Sequence, residues 1–142
     1  MSRFIVDASV ALCWYFEDQK TAYTESVFDC LGKGDTALVP AIWPLEVVNS
    51  FLVAVRQKTI SPAQLEIFTR DLEDLPVEVD IEGVRRVYSS IVRLSQHHQL
   101  SSYDAAYLDL ASVESLPLAT LDKNLRAAAK RVGVELLRFP NR

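Results

Sequence analysis

Residues 4–17 read FIVDASVALCWYFE: three apolar residues, an aspartate two positions before Ser9, and then a run that is apolar on every side. Phe4–Val6 has the length and composition of a short buried strand and Ser9–Glu17 those of a helix, with Asp7 at the join. The same order recurs along the chain. Ala37–Val39 is predicted as a strand that Pro40 ends. A helix follows from Trp43, with Pro44 in its first turn, to about Lys58, and its apolar face carries Val47, Val48, Phe51, Leu52 and Val55. Pro76–Val79 is a third strand before a helix over Ile81–Gln96. Leu116–Leu121 is a fourth, before a helix over Lys123–Val132 that Gly133 closes. Further helices are predicted over Tyr23–Leu31, ended by the turn at Gly32 and Gly34, from the Ser61 cap and Pro62 onward, and over Ser102–Glu114. Val134–Leu137 is predicted as a last strand. Short strands alternating with helices imply an α/β fold with a parallel sheet flanked by helices.

Composition bounds what such a fold does. The 142 residues, 49% hydrophobic and 24% charged, are expected to form one domain over residues 1–142 with a core that needs no staples. Cys13 and Cys30 are far apart and belong to no CxxC pair, so reduced thiols are expected. Asp7, Glu17 and Asp18 interrupt the apolar N-terminus, and no segment has the roughly 18 uninterrupted apolar residues of a membrane helix. A cytoplasmic, non-membrane protein is expected. The net charge of −4 argues against a generic nucleic-acid-binding module, though not against an enzyme that brings cations to a phosphate. Neither GxGxxG nor GxxxxGK[ST] occurs, which removes the usual dinucleotide and P-loop readings.

Ligands of parallel sheets bind at the carboxyl ends of the strands, and that edge is predicted to be acidic. Asp7 ends the first strand, Glu46 opens the helix after the second in PAIWPLEVVN, Asp80 follows the third, and Asp122 ends the fourth in LATLDKNL. Asp104, in LSSYDAAYLDLA, opens the helix that feeds the fourth strand. Taken singly, each serves as a helix cap, and Ser101-Ser102-Tyr103-Asp104 fits a capping box. Taken together they repel one another unless a cation sits among them, and only Asp122 has a basic neighbour, Lys123. Carboxylates with no histidine or thiol make an all-oxygen site, suited to Mg2+ or Mn2+. Phosphodiester hydrolysis is the chemistry such a site serves best.

The order VDAS, PLEVVNS, SSYDAAYLDLA, LATLDKNL resembles the PIN-domain nucleases, and within them most closely the VapC-type toxins of bacterial and archaeal toxin–antitoxin pairs. The resemblance runs from about Phe4 to Leu137. It implies a three-layer α/β/α fold around about five parallel strands in the order 3-2-1-4-5, and a Mg2+-dependent endoribonuclease activity. Asp7, Glu46, Asp104 and Asp122 match the acidic quartet. Asp7 and Asp104 would be the most direct metal ligands, with Glu46 and Asp122 acting through water, on a second ion, or in orienting the attacking water. Ser9 and Thr120 match hydroxyl positions that support the cluster, and Asn49 a frequent polar position that is otherwise a solvated surface residue. A cognate antitoxin, a homodimer and a structured RNA such as a tRNA are the implied partners. The strand order places Asp80 at an edge, as a remote helix cap.

Other features are expected to be structural. Asp109 stands about 140° around the helix from Asp104, at 100° per residue, and is expected to be solvated. His97 and His98 suit a helix C-terminus. Lys123, Arg126 and Lys130 share one helix face, and Lys123 and Arg126 are candidates to contact an RNA backbone. In Ser9–Phe16 the aromatics Trp14, Tyr15 and Phe16 exceed what a small core needs, so part of this helix is expected to meet an antitoxin or a second subunit. A receiver-type phosphoacceptor would need paired acids after the first strand and a lysine ending the fifth, and both are missing. Ser9 also breaks the Asp-x-Asp pattern of a phosphatase. A non-catalytic interaction domain would have little use for four intact acids.

Overall fold

The apolar runs starting near residues 3, 36, 77 and 118 all become strands of one parallel sheet. In the computed structural model, which describes residues 2–138, these are β1 (Arg3–Val6), β2 (Thr36–Pro40), β3 (Val77–Asp80) and β4 (Leu118–Ala119). Their order is β3-β2-β1-β4, with Phe4 opposite Ala37, Val6 opposite Ala119 and Pro40 opposite Asp80. The chain first walks outward from β1 to β3 and then crosses back to β4 on the far side of β1. This reversal leaves β1 and β4 side by side, with β4 at the end of the four-stranded order.

The helices are α1 (Ala8–Cys13), α2 (Ala22–Gly32), α3 (Ile42–Arg56), α4 (Pro62–Asp74), α5 (Val92–His98), α6 (Ser102–Glu114) and α7 (Lys123–Val132). Right-handed crossovers put those made on the outward walk on one face and those made on the return on the other. Accordingly α1 touches α2 and α3, α3 touches α4, and α6 touches both α5 and α7. The result is the expected α/β/α sandwich, with Ile5, Val6, Val39, Val47, Phe51, Tyr107 and Leu108 fully buried in its core. Cys13 and Cys30 are buried free thiols, and no helix among the described residues is long and apolar enough to cross a membrane.

Several elements differ from the sequence-based expectation. The regular sheet has four strands rather than five. The predicted strand Val134–Leu137 is reduced to a bridge between Leu136 and Leu118, held by Leu118 N–H to Glu135 O and Leu137 N–H to Leu118 O, each 2.8 Å. It has only a two-residue strand to pair with. β4 itself is short because Pro117 has no N–H to donate and because the backbone N–H groups of Leu121 and Asp122 turn to side-chain hydroxyls instead. The predicted helix over Ile81–Gln96 is wound in three pitches: a 3-10 turn over Glu82–Arg86, a π turn over Val87–Ile91, and α5.

α1 also stops early, at Cys13, and the aromatic surplus behind it is absorbed within the chain. Trp14 is buried, its indole N–H donating to Thr24 O at 2.9 Å. The Tyr15 ring lies 5.1 Å from Phe51 and 5.2 Å from Phe68, and its hydroxyl donates to Asp71 at 2.7 Å. Phe16 packs edge-on to the same two phenylalanines. Trp14 is thus packed inside the chain against Phe28, while Tyr15 and Phe16 remain partly exposed beside Phe51 and Phe68.

Asp109 is the sharpest correction. It is buried, at 2% exposure, because α6 is covered on both sides, by the sheet on one and by α5 and the π turn on the other. Its charge is met by Arg86, whose Nε donates to Oδ2 at 2.8 Å, and by Ser90, whose hydroxyl donates to Oδ1 at 2.6 Å. His97 and His98 lie, as expected, in the last turn of α5.

Candidate active site

β1 delivers Asp7 to the carboxyl edge of the sheet. Its backbone N–H still bonds Ala119 O at 2.9 Å, as the next rung of the ladder to β4, while its side chain caps α1. The carboxylate accepts from Ser9 N–H at 3.4 Å through Oδ1, and through Oδ2 from the hydroxyls of Ser9 at 3.0 Å and Thr120 at 2.6 Å. The same two hydroxyls accept in turn, Ser9 from Leu121 N–H at 3.2 Å and Thr120 from Asp122 N–H at 3.1 Å. Ser9 and Thr120 therefore fasten the end of β1 to the end of β4. Asp122 caps α7, its Oδ1 accepting from Leu125 N–H at 2.8 Å.

Asp104 is the third residue of α6. Its N–H donates to the Ser101 hydroxyl at 3.0 Å, but only that half of the capping box forms. In α4, by contrast, Ser61 and Gln64 complete both halves. The Asp104 carboxylate is also hydrogen-bonded by the Ser101 side chain, which opposes the rise in its pKa. Glu46, on α3, is half-buried and accepts a 2.5 Å bond from the hydroxyl of Tyr107 through Oε1. Tyr107 is fully buried one turn after Asp104 on α6. Sequence reasoning did not single it out; its signal was the three-residue spacing from Asp104, which puts both on one side of a helix.

The four carboxylates act on one another. Burial raises the pKa of Asp7 most, with Asp122 adding to the rise and the Thr120 and Ser9 hydrogen bonds opposing it. Burial also raises that of Glu46, against the Tyr107 hydrogen bond and with help from Asp7 and Asp104. Asp104 is raised by burial and then by the charges of Asp7 and Asp122. The Tyr107 hydroxyl is held far above its usual range by burial and by its bond to Glu46, and stays protonated as a donor. Among the described residues no lysine or arginine forms an ion pair with any of the four.

An all-oxygen, anionic, partly buried cluster fits a hard divalent cation. Among the described residues no group of three or more acids stands close enough to hold an ion by itself. Magnesium keeps several waters and takes only one or two carboxylates, the remaining positions falling to substrate oxygens.

The other sequence candidates lie elsewhere. Asp80 ends the edge strand β3 and caps the following turn, its Oδ2 accepting from Gly83 N–H at 2.8 Å. Asn49 is exposed on α3. Lys123 is exposed at the start of α7, whereas Arg126 braces the site, its Nη1 donating to Thr120 O at 3.1 Å. Arg126 and Lys130 line a groove with Tyr23, Leu121 and Arg138, which begins next to Asp122. A separate cavity of about 250 Å³, lined mainly by apolar groups such as Pro40, Ile42, Val84 and Leu110, contains none of the four acids.

Comparison with known proteins gives a consistent picture. The family model described as PIN domain matches residues 4–131. No curated protein matches the chain. Among solved structures, FitAcB from Neisseria gonorrhoeae is similar with a TM-score of 0.67 at 17% identity, over 100% of both chains. VapBC2 from Rickettsia felis, bound to a DNA fragment from its promoter, gives 0.62 at 14% identity, over 97% of this chain and 98% of the other. A toxin–antitoxin complex from Klebsiella pneumoniae gives 0.60 at 16% identity, over 84% and 86%. At these identities the likeness is one of fold.

Proposed function

The chain belongs to the PIN domain family, and from that premise we propose that it is a Mg2+-dependent endoribonuclease acting in the cytoplasm as the toxin of a toxin–antitoxin pair. The observation that carries the reading is the gathering of Asp7, Glu46, Asp104 and Asp122 near one strand edge, each of the first three pushed up in pKa by burial and by other members of the cluster, with no lysine or arginine ion-paired to any of them among the described residues. A group of acids costs stability when left charged, so a fold that keeps four together is organised around an added cation.

Asp7 and Asp104 are the direct ligands in this reading, and Mn2+ is an acceptable substitute for Mg2+. The chemistry such an ion supplies when bound is neutralisation of charge on the scissile phosphate and acidification of a water for in-line attack. The chain's own residues do the rest. Ser9 and Thr120 fix the Asp7 carboxylate by three hydrogen bonds, so it needs little reorganisation on binding. Glu46 and Asp122 flank that position and orient water. Arg126 and Lys130 offer positive charge to the RNA backbone along the groove that starts at Leu121, and Lys123, exposed at the start of α7, adds to it. A structured RNA such as a tRNA is the proposed substrate, cut to leave 3′-hydroxyl and 5′-phosphate ends.

Control by a cognate antitoxin is proposed because two of the similar structures are described as toxin–antitoxin or VapBC assemblies. A homodimer is proposed with it. The direct test is cleavage of total tRNA by purified protein in Mg2+, with sequencing of the ends. Asp7→Asn and excess chelator should each abolish cutting, and undiminished cutting in either would overturn the mechanism.

A further inference from the structure

We propose that the apolar cavity beside α6 receives Tyr88 of a second copy of this chain, each copy filling the other's cavity; the inference rests on the homodimer proposed above and says which face builds it. The cavity, of about 250 Å³, lies between the end of β2, the turns before α5, and α6. Pro40, Ile42, Ala106 and Leu110 make it apolar. Arg86 puts an unmet donor there. Its Nε is engaged by Asp109, but Nη2 is buried with no hydrogen-bond partner. Nη2 stands 3.5 Å from where a Cβ on Gly83 would lie, and Gly83 lines the cavity. The absent side chain leaves the donor uncovered on that side. A buried donor without an acceptor is costly, so the cavity suits an apolar body that carries one acceptor. Asp109 already balances Arg86, and Asp80 also lines the cavity, so a neutral acceptor fits better than an anion.

The same face supplies that group. Tyr88 follows the cavity-lining Val87 and is 93% exposed. A tyrosine is an apolar ring with a hydroxyl that accepts as well as donates. Its exposed neighbours Ile81, Val84 and Tyr103 are large and apolar too, and Val84 and Tyr103 stand at the cavity itself. Most charge in this segment is paired: Glu82 with Arg85 at 3.5 Å, and Arg86 with Asp109 at 2.8 Å. Such a face does not repel its own copy and has little free charge for an RNA backbone. A projecting side chain and a matching cavity on one patch are what a twofold interface requires, since residue i then meets j while j meets i. Tyr88 of each copy fills the other's cavity, and its hydroxyl accepts from Arg86 Nη2.

The test is sedimentation equilibrium of the intact protein, without RNA or antitoxin. Wild type should dimerise, and Tyr88→Ala should weaken the dimer by more than about tenfold, as loss of a buried tyrosine anchor does. Tyr88→Phe keeps the ring and drops the acceptor, and should weaken it less, by about fivefold. Val84→Arg should obstruct the cavity and weaken the dimer while leaving Tyr88 in place. Both positions are exposed, so neither change threatens the fold. Mixing Tyr88→Ala with Val84→Arg should restore association, because the tyrosine of one then meets the open cavity of the other. A wild-type dimer that either variant left intact, or a mixture that recovered nothing, would overturn the inference and leave the homodimer to another face. A monomeric wild type would overturn both, and pairing only after antitoxin is added would give the cavity to that partner instead. Cleavage of tRNA, read in the same wild-type samples, reports separately on the nuclease reading: no cutting by a dimer that passes these tests would fail that reading alone.

Discussion

Asp104 and Asp109 stand on the same helix, α6, the first half-buried and the second buried, and the chain treats their charges in opposite ways. Asp109 has its own cation: Arg86 on one oxygen and Ser90 on the other, both from the irregular turns that precede α5. Its charge is settled inside the fold. Asp104 faces Asp7 and Asp122, which raise its pKa beyond the effect of burial, and no lysine or arginine is paired with it among the described residues. A buried carboxylate with a resident partner is part of the architecture. One surrounded by its own kind creates a demand for positive charge that something outside the chain must meet.

The largest effect that separates the two is on catalysis. Asp104→Asn keeps the size of the side chain and removes its charge, and RNA cleavage should fall on the order of 10³-fold as a metal contact is lost. Asp109→Asn, assayed well below its melting temperature, should cleave within a few-fold of wild type. Comparable losses in the two variants, measured as initial rates on the same RNA, would break the distinction.

Stability should divide them the other way. Asp109→Ala strands the Arg86 guanidinium, whose Nη2 is already buried without a hydrogen-bond partner. Breaking one side of a buried pair costs about 3–5 kcal/mol, or on the order of 10 °C in melting temperature for a chain of this size. The double variant Arg86→Met/Asp109→Leu, which removes both charges, should recover most of that loss in the same calorimetric scan. A shift of less than about 2 °C for Asp109→Ala would show that the pair is not what holds α6 against its neighbours.

The two aspartates also show what a sequence displays and what it hides. Asp7, Glu46 and Asp122 could be placed at one edge from sequence because each follows a strand at the start of a helix, Asp104 because it opens the helix that feeds the fourth strand, and adjacent residues offered almost no basic partner. The order of the four strands and the edge position of Asp80 followed from the family likeness, since alternation alone gives a parallel sheet but not its order. Asp109 was not legible, because helical periodicity gives an angle around α6 and says nothing of what packs against that angle. The answer lay 23 residues upstream, in Arg86. Tyr107 was hidden for a related reason: its ring belongs to the core and its hydroxyl to the site, and only the second half requires knowing where α3 runs. Trp14, Tyr15 and Phe16 looked like a surplus until Phe28, Phe51 and Phe68, distant in sequence, were brought against them.

An added cation gives a third and smaller contrast. Saturating Mg2+, at about 100 times its dissociation constant, should stabilise wild type by about 2.7 kcal/mol. The Asp109→Ala variant should gain about the same amount, since its quartet is intact. Asp7→Asn should gain little or nothing. A thermal shift in Asp7→Asn equal to that of wild type would mean that the ion is stabilising some other part of the molecule.

The smallest effect concerns pH, in metal-free protein. Asp7, Glu46 and Asp104 all have folded-state pKa values raised above those of the unfolded chain. In the window between the two values the folded state holds more protons than the unfolded state, so stability falls as pH rises through it. These three acids are then least comfortable at neutral pH and most comfortable in mild acid, the reverse of a salt-bridged carboxylate. Glu46→Gln should reveal this most cleanly, because glutamine still accepts the Tyr107 hydrogen bond while shedding the charge that Asp7 and Asp104 oppose. Its melting temperature should exceed that of wild type at pH 8, and the difference should vanish near pH 4, where wild-type Glu46 is also neutral. Glu46 is half-exposed, so solvent screening keeps the gain small, at about 2 °C. Mg2+ should reverse the sign at pH 8, because wild type then gains a ligand that the variant lacks. A Glu46→Gln protein that melted lower than wild type at pH 8 without metal would show that the fold had already met the charge of Glu46 by itself, as it has met that of Asp109.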